Sequence, residues 1–201
     1  MKMNKIFNPF HEIAGSKALF LGLLAMLATG LIGYFSHTHF PDIISIKYIP
    51  VSLPLWYYFI QQLVIWLIPS VIFYLLALLG ASSSVRIIDV FGTQALARYP
   101  YVLASITGFS GSMKRFGEYI IEVAMEQNQE ASISSFDLIM SILIIVASLL
   151  LVVWMVGLMY NAFRISANLK GARAVGLFIA GFAVSFLVSL FTGIQLYNFL
   201  Q

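Results

Sequence analysis

The residues able to do chemistry in this 201-residue chain are few, and they sit at the edges of long apolar runs. His37, Thr38 and His39 with Asp42 resemble a metal-ligand cluster. They lie in a Pro-containing loop with no third strong ligand nearby, so no metal site is expected. A Ser/His/Asp set, a His-Glu-x-x-His pair, a Gly-rich phosphate loop and an acidic pair within a span are all absent. Without cysteine there are no disulfides, thiol catalysis or Cys-type zinc sites. Neither an enzyme nor a bound cofactor is expected.

What remains is polar rather than catalytic. Arg86 and Arg98 flank Asp89 in the stretch Val85 to Pro100, where Thr93 is placed to cap a helix that Gln94 begins and Gly92 permits the turn into it. Where protein displaces water, Asp89 stays ionised and its Arg pairing is far stronger than on a surface. The set Arg86, Asp89, Thr93, Gln94 and Arg98 reads as a structural clamp on the second loop, or as a contact for a partner or a transported species. Arg164, Lys170 and Arg173 form a basic loop, each attracted to an anionic leaflet by about 1 kcal/mol. Gln61 and Gln62, the only side-chain amides deep inside the second apolar run, either hydrogen-bond neighbouring helices or line a substrate path.

The elements that position these residues are membrane spans. Hydrophobic residues make up 61% of the chain, charged ones 9%, and the mean hydropathy is +0.94. No charged residue occurs between Tyr48 and Val85, a run long enough to cross a hydrocarbon core of about 30 Å. The net charge of +3 is too small and scattered for a nucleic-acid groove. Ala18 to Phe35 is longer than a signal-peptide core and is followed by no small-x-small cleavage site, so it is a retained span behind a cytoplasmic interfacial segment, residues 1–17. Within that segment Ile6 to His11 is partly apolar and suits the interface.

Residues 55–81, 138–163 and 174–200 are equally plain spans, whereas 94–112 carries Arg98 and Pro100 near its start, an Arg that close to the boundary being able to snorkel. Positive charge decides for crossing. Five spans with the N-terminus inside put Lys2, Lys5, Lys17, Arg86, Arg98, Arg164, Lys170 and Arg173 in the cytoplasm against Lys47, Lys114 and Arg115 outside, eight to three; four spans give seven to four. The expected fold is therefore an all-α integral membrane protein, a bundle of five transmembrane helices with short interfacial helices and an extracytoplasmic C-terminus.

Small residues recur every four positions at Gly181, Ser185, Ser189 and Gly193, and at Ala25, Thr29 and Gly33, which suits close helix packing within the chain or a homodimer face. Pro69 should kink the second span. Between the third and fourth spans Phe116, Tyr119, Ile120 and Val123 share one helical face. Glu118, Glu122, Glu126 and Glu130 form a mutually repelling ridge on another, which requires solvent or cations.

Asp89-Val90-Phe91-Gly92-Thr93-Gln94-Ala95-Leu96-Ala97-Arg98-Tyr99-Pro100 opening the third span, Trp154-Met155-Val156-Gly157-Leu158-Met159-Tyr160 ending the fourth, and the Gly-rich fifth together resemble the Yip family of Rab-interacting membrane proteins, in its bacterial branch. The resemblance covers nearly the whole chain and implies five spans, a cytoplasmic N-terminus and residence in a bacterial inner (plasma) membrane, with an undefined biochemical activity. Rab binding does not transfer, because only about 17 residues precede the first span and the Asp-Leu-Tyr-Gly-Pro motif of eukaryotic members is missing. The resulting expectation is a membrane adaptor or assembly factor whose partners are the lipid bilayer and another membrane protein or a second copy of itself. A small transporter or permeation unit using Gln61, Gln62, Pro69 and the Arg86/Asp89/Arg98 set is the alternative.

Overall fold

The computed structural model describes residues 6–49, 53–81, 84–124 and 132–199. Long uninterrupted apolar runs become long helices: α1 (Gly15–Ser36), α2 (Leu55–Gly80), α6 (Ser135–Ser166) and α7 (Gly171–Asn198). Among the described residues these four are long and apolar enough to cross a membrane, as an all-α membrane protein requires. Between them lie α3 (Ile87–Leu96), α4 (Pro100–Ile106), α5 (Gly111–Ala124) and a two-residue ladder in which β1 (Thr38–His39) pairs antiparallel with β2 (Lys47–Tyr48). α1 stops where His37 takes the left-handed conformation (φ 54°) and returns its N–H to the Gly33 carbonyl. α6 starts at Ser134, whose hydroxyl oxygen accepts the Asp137 N–H.

The segment expected as a third span over 94–112 is not one helix. Helical structure starts seven residues earlier, at Ile87, and breaks after Leu96. Pro100 has no N–H for the Leu96 carbonyl and its ring crowds that turn, so the backbone changes to i−3 bonds: Arg98 N to Ala95 O (3.2 Å), Tyr99 N to Leu96 O (3.1 Å), Tyr101 N to Arg98 O (2.9 Å). Gly92 and Thr93 therefore lie inside α3 instead of making the turn into it, and the Thr93 hydroxyl bonds back to the Asp89 carbonyl (2.7 Å) rather than capping a helix.

The broken segment follows α1 closely. A Cβ on Gly92 would lie 2.5 Å from the Gly15 carbonyl oxygen, a Cβ on Gly22 2.5 Å from the Ala95 backbone, and one on Gly108 would run into the Ser36 carbonyl and the Thr38 hydroxyl. Residues 87–109 thus run beside α1 from its first turn to its last. α2 descends antiparallel to α1, with Phe59 against Gly30 and, at its other end, Gly80 against Leu177 of α7.

Both small-residue rows pack within the chain. Gly181 receives Phe73 and Leu76, Gly193 lies against the Pro41 carbonyl, the Ser189 hydroxyl accepts the Ile43 N–H (3.3 Å), and the Ser185 hydroxyl bonds back to Gly181 (2.6 Å). In α1 the Thr29 hydroxyl bonds back to Ala25 (2.8 Å), while Gly33 admits the Thr38 carbonyl. Phe163 and Phe178 close on Phe73, with ring centroids 5.0 and 5.3 Å away.

α5 is tied to the start of α6 by a bidentate pair: Arg115 donates from Nε and Nη2 to the Asp137 carboxylate (2.7 and 2.5 Å), which also accepts the Ser112 and Ser134 hydroxyls, each at 2.8 Å. Phe116 and Tyr119 are half-buried, Ile120 and Val123 exposed. Exposed Glu118 stands 4.0 Å from Lys114, while Glu126 and Glu130 of the expected ridge lie outside the described residues. The N-terminal segment docks on the bundle more closely than an interfacial segment need: Phe10 is buried, and Tyr99 and Asn161 donate to the Ile6 and Phe7 carbonyls.

Gly92→Ala should destabilise the protein by about 1–3 kcal/mol, because its Cβ meets backbone that cannot give way. Gly157→Ala, which meets nothing within 4 Å, should be neutral or slightly stabilising. Melting midpoints of the two variants in one detergent check this ordering.

Candidate functional site

α2 must bury a defect of its own making. Pro69 removes the N–H that would reach the Ile65 carbonyl one turn back, and nothing in a lipid or protein interior replaces it for free. Arg98 replaces it: the guanidinium donates from Nη2 to the Ile65 oxygen. Arg98 is 1% exposed and stands eleven residues beyond the start of the broken segment, roughly 16 Å along it at 1.5 Å per helical residue. It therefore does not snorkel to the boundary, as the sequence suggested. The expectation failed because the helix starts at Ile87 rather than Gln94.

The five residues expected to cluster near the third-span entrance separate into two places. Asp89 stays at the end of the bundle where α1 begins, paired with exposed Arg86 at 3.8 Å. Gln94 and Arg98, four residues apart, face inward, and the Gln94 amide donates to the Met159 carbonyl of α6 (3.1 Å). Arg98 Nε and Nη1 and the carbonyl oxygens of Gln62 and Gln94 are buried with no protein partner, so complementary donors and acceptors occupy the same interior. Gln61 turns the other way, and its side-chain oxygen accepts the Phe40 N–H (3.4 Å).

The loop after α1 is a packed polar plug at the opposite end. Asp42 Oδ1 accepts the N–H groups of Ile44 (3.0 Å) and Ser45 (2.9 Å), Tyr101 donates to the Ile43 carbonyl (2.6 Å), Thr38 donates to Ser105 O (3.3 Å), and the Tyr58 hydroxyl lies 3.2 Å from His39 Nε2. Burial, aided by the charge of His37, pushes His39 down to about 4 and keeps its ring neutral at physiological pH. His39 and Asp42 do not gather with His37 around an ion; among the described residues no three His, Asp or Glu side chains form a metal-binding group. Instead His39, Asp42, Lys47, Tyr57, Gln61 and Tyr197 border a cavity of about 330 Å³.

The basic loop lies at the other end. Arg164 and Lys170 border a second cavity, of about 430 Å³, with His11; the Arg164 guanidinium sits 5.9 Å from the Tyr160 ring centre, while Arg173 projects from the first turn of α7 and is exposed. Sequence reasoning missed the plug's partners Tyr58, Tyr101 and Ser105 and the Arg115–Asp137 clamp, and it singled out Ser189 for helix packing only. The available signal was the presence of hydrogen-bonding side chains at positions where lipid-facing helices would be wholly apolar.

Replacing Arg98 with Met strands the Ile65 carbonyl and should cost about 1.5–3 kcal/mol, the range for a hydrogen bond to a charged group. In a Pro69→Ala background the restored N–H serves that carbonyl and the same replacement should cost distinctly less. A double-mutant cycle of unfolding free energies in micelles measures the difference, and equal costs in both backgrounds would refute the linkage. Comparison with known proteins adds no assignment to these sites: no family model, no curated protein and no solved structure matches the chain.

Proposed function

We propose that the protein is a five-span, non-enzymatic membrane adaptor or assembly factor of a bacterial inner membrane, Yip-like, with its N-terminus in the cytoplasm. The close run of residues 87–109 beside α1 supports a fifth crossing, made by a helix interrupted at Ala97 to Tyr99 where protein surrounds the freed backbone. With Arg98 withdrawn into the interior, the remaining cations still divide unequally. Among the described residues Lys17, Arg86, Arg164, Lys170 and Arg173 belong to the end where α1 begins, and Lys47, Lys114 and Arg115 to the other, five against three.

The observation that carries the adaptor reading is α6. Only 11% of its most apolar stretch is buried within the chain, against 28–33% for the other three long helices. Its open side presents Ile139, Leu143, Val146, Leu150 and Val153 at alternating spacings of four and three, a row that either lipid or a partner helix can cover. Of the polar side chains that would serve a transport path, Gln61 bonds to Phe40, Gln94 to Met159 and Arg98 to Ile65, while Gln62 Oε1, Gln94 Oε1 and two Arg98 nitrogens keep no protein partner.

Topology is tested through the absence of natural cysteine. With Asn168→Cys, an impermeant maleimide should leave intact cells unlabelled, while Ser132→Cys should react; the reverse pattern means four spans. The adaptor reading predicts a stoichiometric membrane protein in mild-detergent purifications, lost from Leu143→Trp/Leu150→Trp or from Asp89→Ala at matched expression. Recovery of the same species from wild type and all variants counts against it, and substrate flux from reconstituted protein that Gln61 substitutions abolish would favour transport instead.

A further inference from the structure

The 330 Å³ cavity combines two opposite charges that do not neutralise each other. Asp42 is buried, and the Ile44 and Ser45 N–H groups engage only its Oδ1, so Oδ2 is its acceptor for anything in the cavity. Lys47 borders the same space. Neither Asp42 nor Lys47 takes part in the ion pairs Arg86–Asp89, Lys114–Glu118 and Arg115–Asp137, and among the described residues the two are not paired with each other. Opposite charges held on one cavity wall without contact suit a ligand that itself carries both signs.

His39 adds a directed hydrogen bond. Its ring is 1% exposed and borders the cavity; Nε2 faces the Tyr58 hydroxyl and Nδ1 is buried with no protein partner. With Tyr58 donating to Nε2, the ring hydrogen sits on Nδ1, a donor for an anionic oxygen. Pro41, Leu190 and Ile194 complete an apolar wall, and the last two are exposed on the outer side of α7, where lipid lies against the helix.

We propose that this cavity binds a zwitterion with an N–H-bearing ammonium and a phosphate or carboxylate: Asp42 takes the ammonium, Lys47 and His39 Nδ1 take the anion, and Leu190 and Ile194 cover the adjoining carbon chain. Two sources share this chemistry, the phosphoethanolamine headgroup of a phospholipid and a free amino acid. The proposal is independent of the adaptor reading.

The test is a thermal-shift titration of the full chain in detergent with short-chain phosphatidylethanolamine, phosphatidylcholine and phosphatidylglycerol, and separately with glycerophosphoethanolamine and leucine. Phosphatidylethanolamine is expected to raise the midpoint saturably. Phosphatidylcholine, whose ammonium has no N–H, and phosphatidylglycerol, which has no ammonium, should not. Asp42→Asn keeps an acceptor for Ile44 and Ser45, and Lys47→Met keeps the stem at an exposed position. Each should weaken the response at least tenfold; Lys47→Met should leave the unliganded midpoint unchanged, and it decides alone should Asp42→Asn fold poorly. A response to leucine but not to the lipid assigns the site to a soluble zwitterion. Equal shifts with all three lipids, no response to any zwitterion, or a response unchanged by both substitutions overturns the proposal.

Discussion

Backbone carbonyls in a membrane protein have no water to turn to, and the freed carbonyl of Ile65 organises the middle of this bundle. Pro69 creates it and Arg98 satisfies it, which places the most expensive side chain in the chain against α2 at the point where the broken segment bends. The bend has the same origin one segment away: Pro100 cannot serve the Leu96 carbonyl, and the i−3 bond from Tyr99 does so instead. Two prolines on neighbouring segments therefore set where α3 ends, where the guanidinium lies, and which carbonyl it meets.

That arrangement requires close backbones. Gly22 and Gly92 bring α1 and α3 to distances at which any side chain would collide with main chain, and Gly193 does the same between α7 and the loop at Pro41. In lipid, where apolar helices gain little from meeting one another, contact of this kind together with hydrogen bonds supplies the adhesion. The hydroxyls of Thr29, Thr93 and Ser185 bond to carbonyls of their own helices, which lets polar residues sit inside the bundle without a separate partner.

The two ends differ in character. The end bearing Arg164 and Lys170 is basic and open, suited to contact with an anionic leaflet, while the other end is closed by the loop from His37 to Ile49 and stitched to α2, α4 and α7 through Gln61, Tyr101, Ser105 and Ser189. A loop held from so many sides is rigid enough to shape a cavity, and Asp42 shows how: its carboxylate both fixes the turn and faces the enclosed space. α6, by contrast, leaves its first half largely outside the bundle, anchored there by Asp137 with Arg115 and along its second half by Gln94 and Asn161.

The sequence by itself determined the membrane class and the four long helices, because hydropathy adds up along the chain and each apolar run is continuous: 18–35 became Gly15–Ser36, 55–81 became Leu55–Gly80, 138–163 became Ser135–Ser166 and 174–200 became Gly171–Asn198. The packing of Gly181 to Gly193 was readable for a similar reason, a strict spacing of four on one helix, though which neighbour it met was not. The tertiary structure alone decided the course of residues 87–109, the separation of Arg98 from Asp89, and the cavity built from His39, Asp42, Lys47 and Tyr197. These depend on which carbonyls two prolines leave free and on which distant backbones come close enough to use them, and neither quantity is a sum over neighbouring residues.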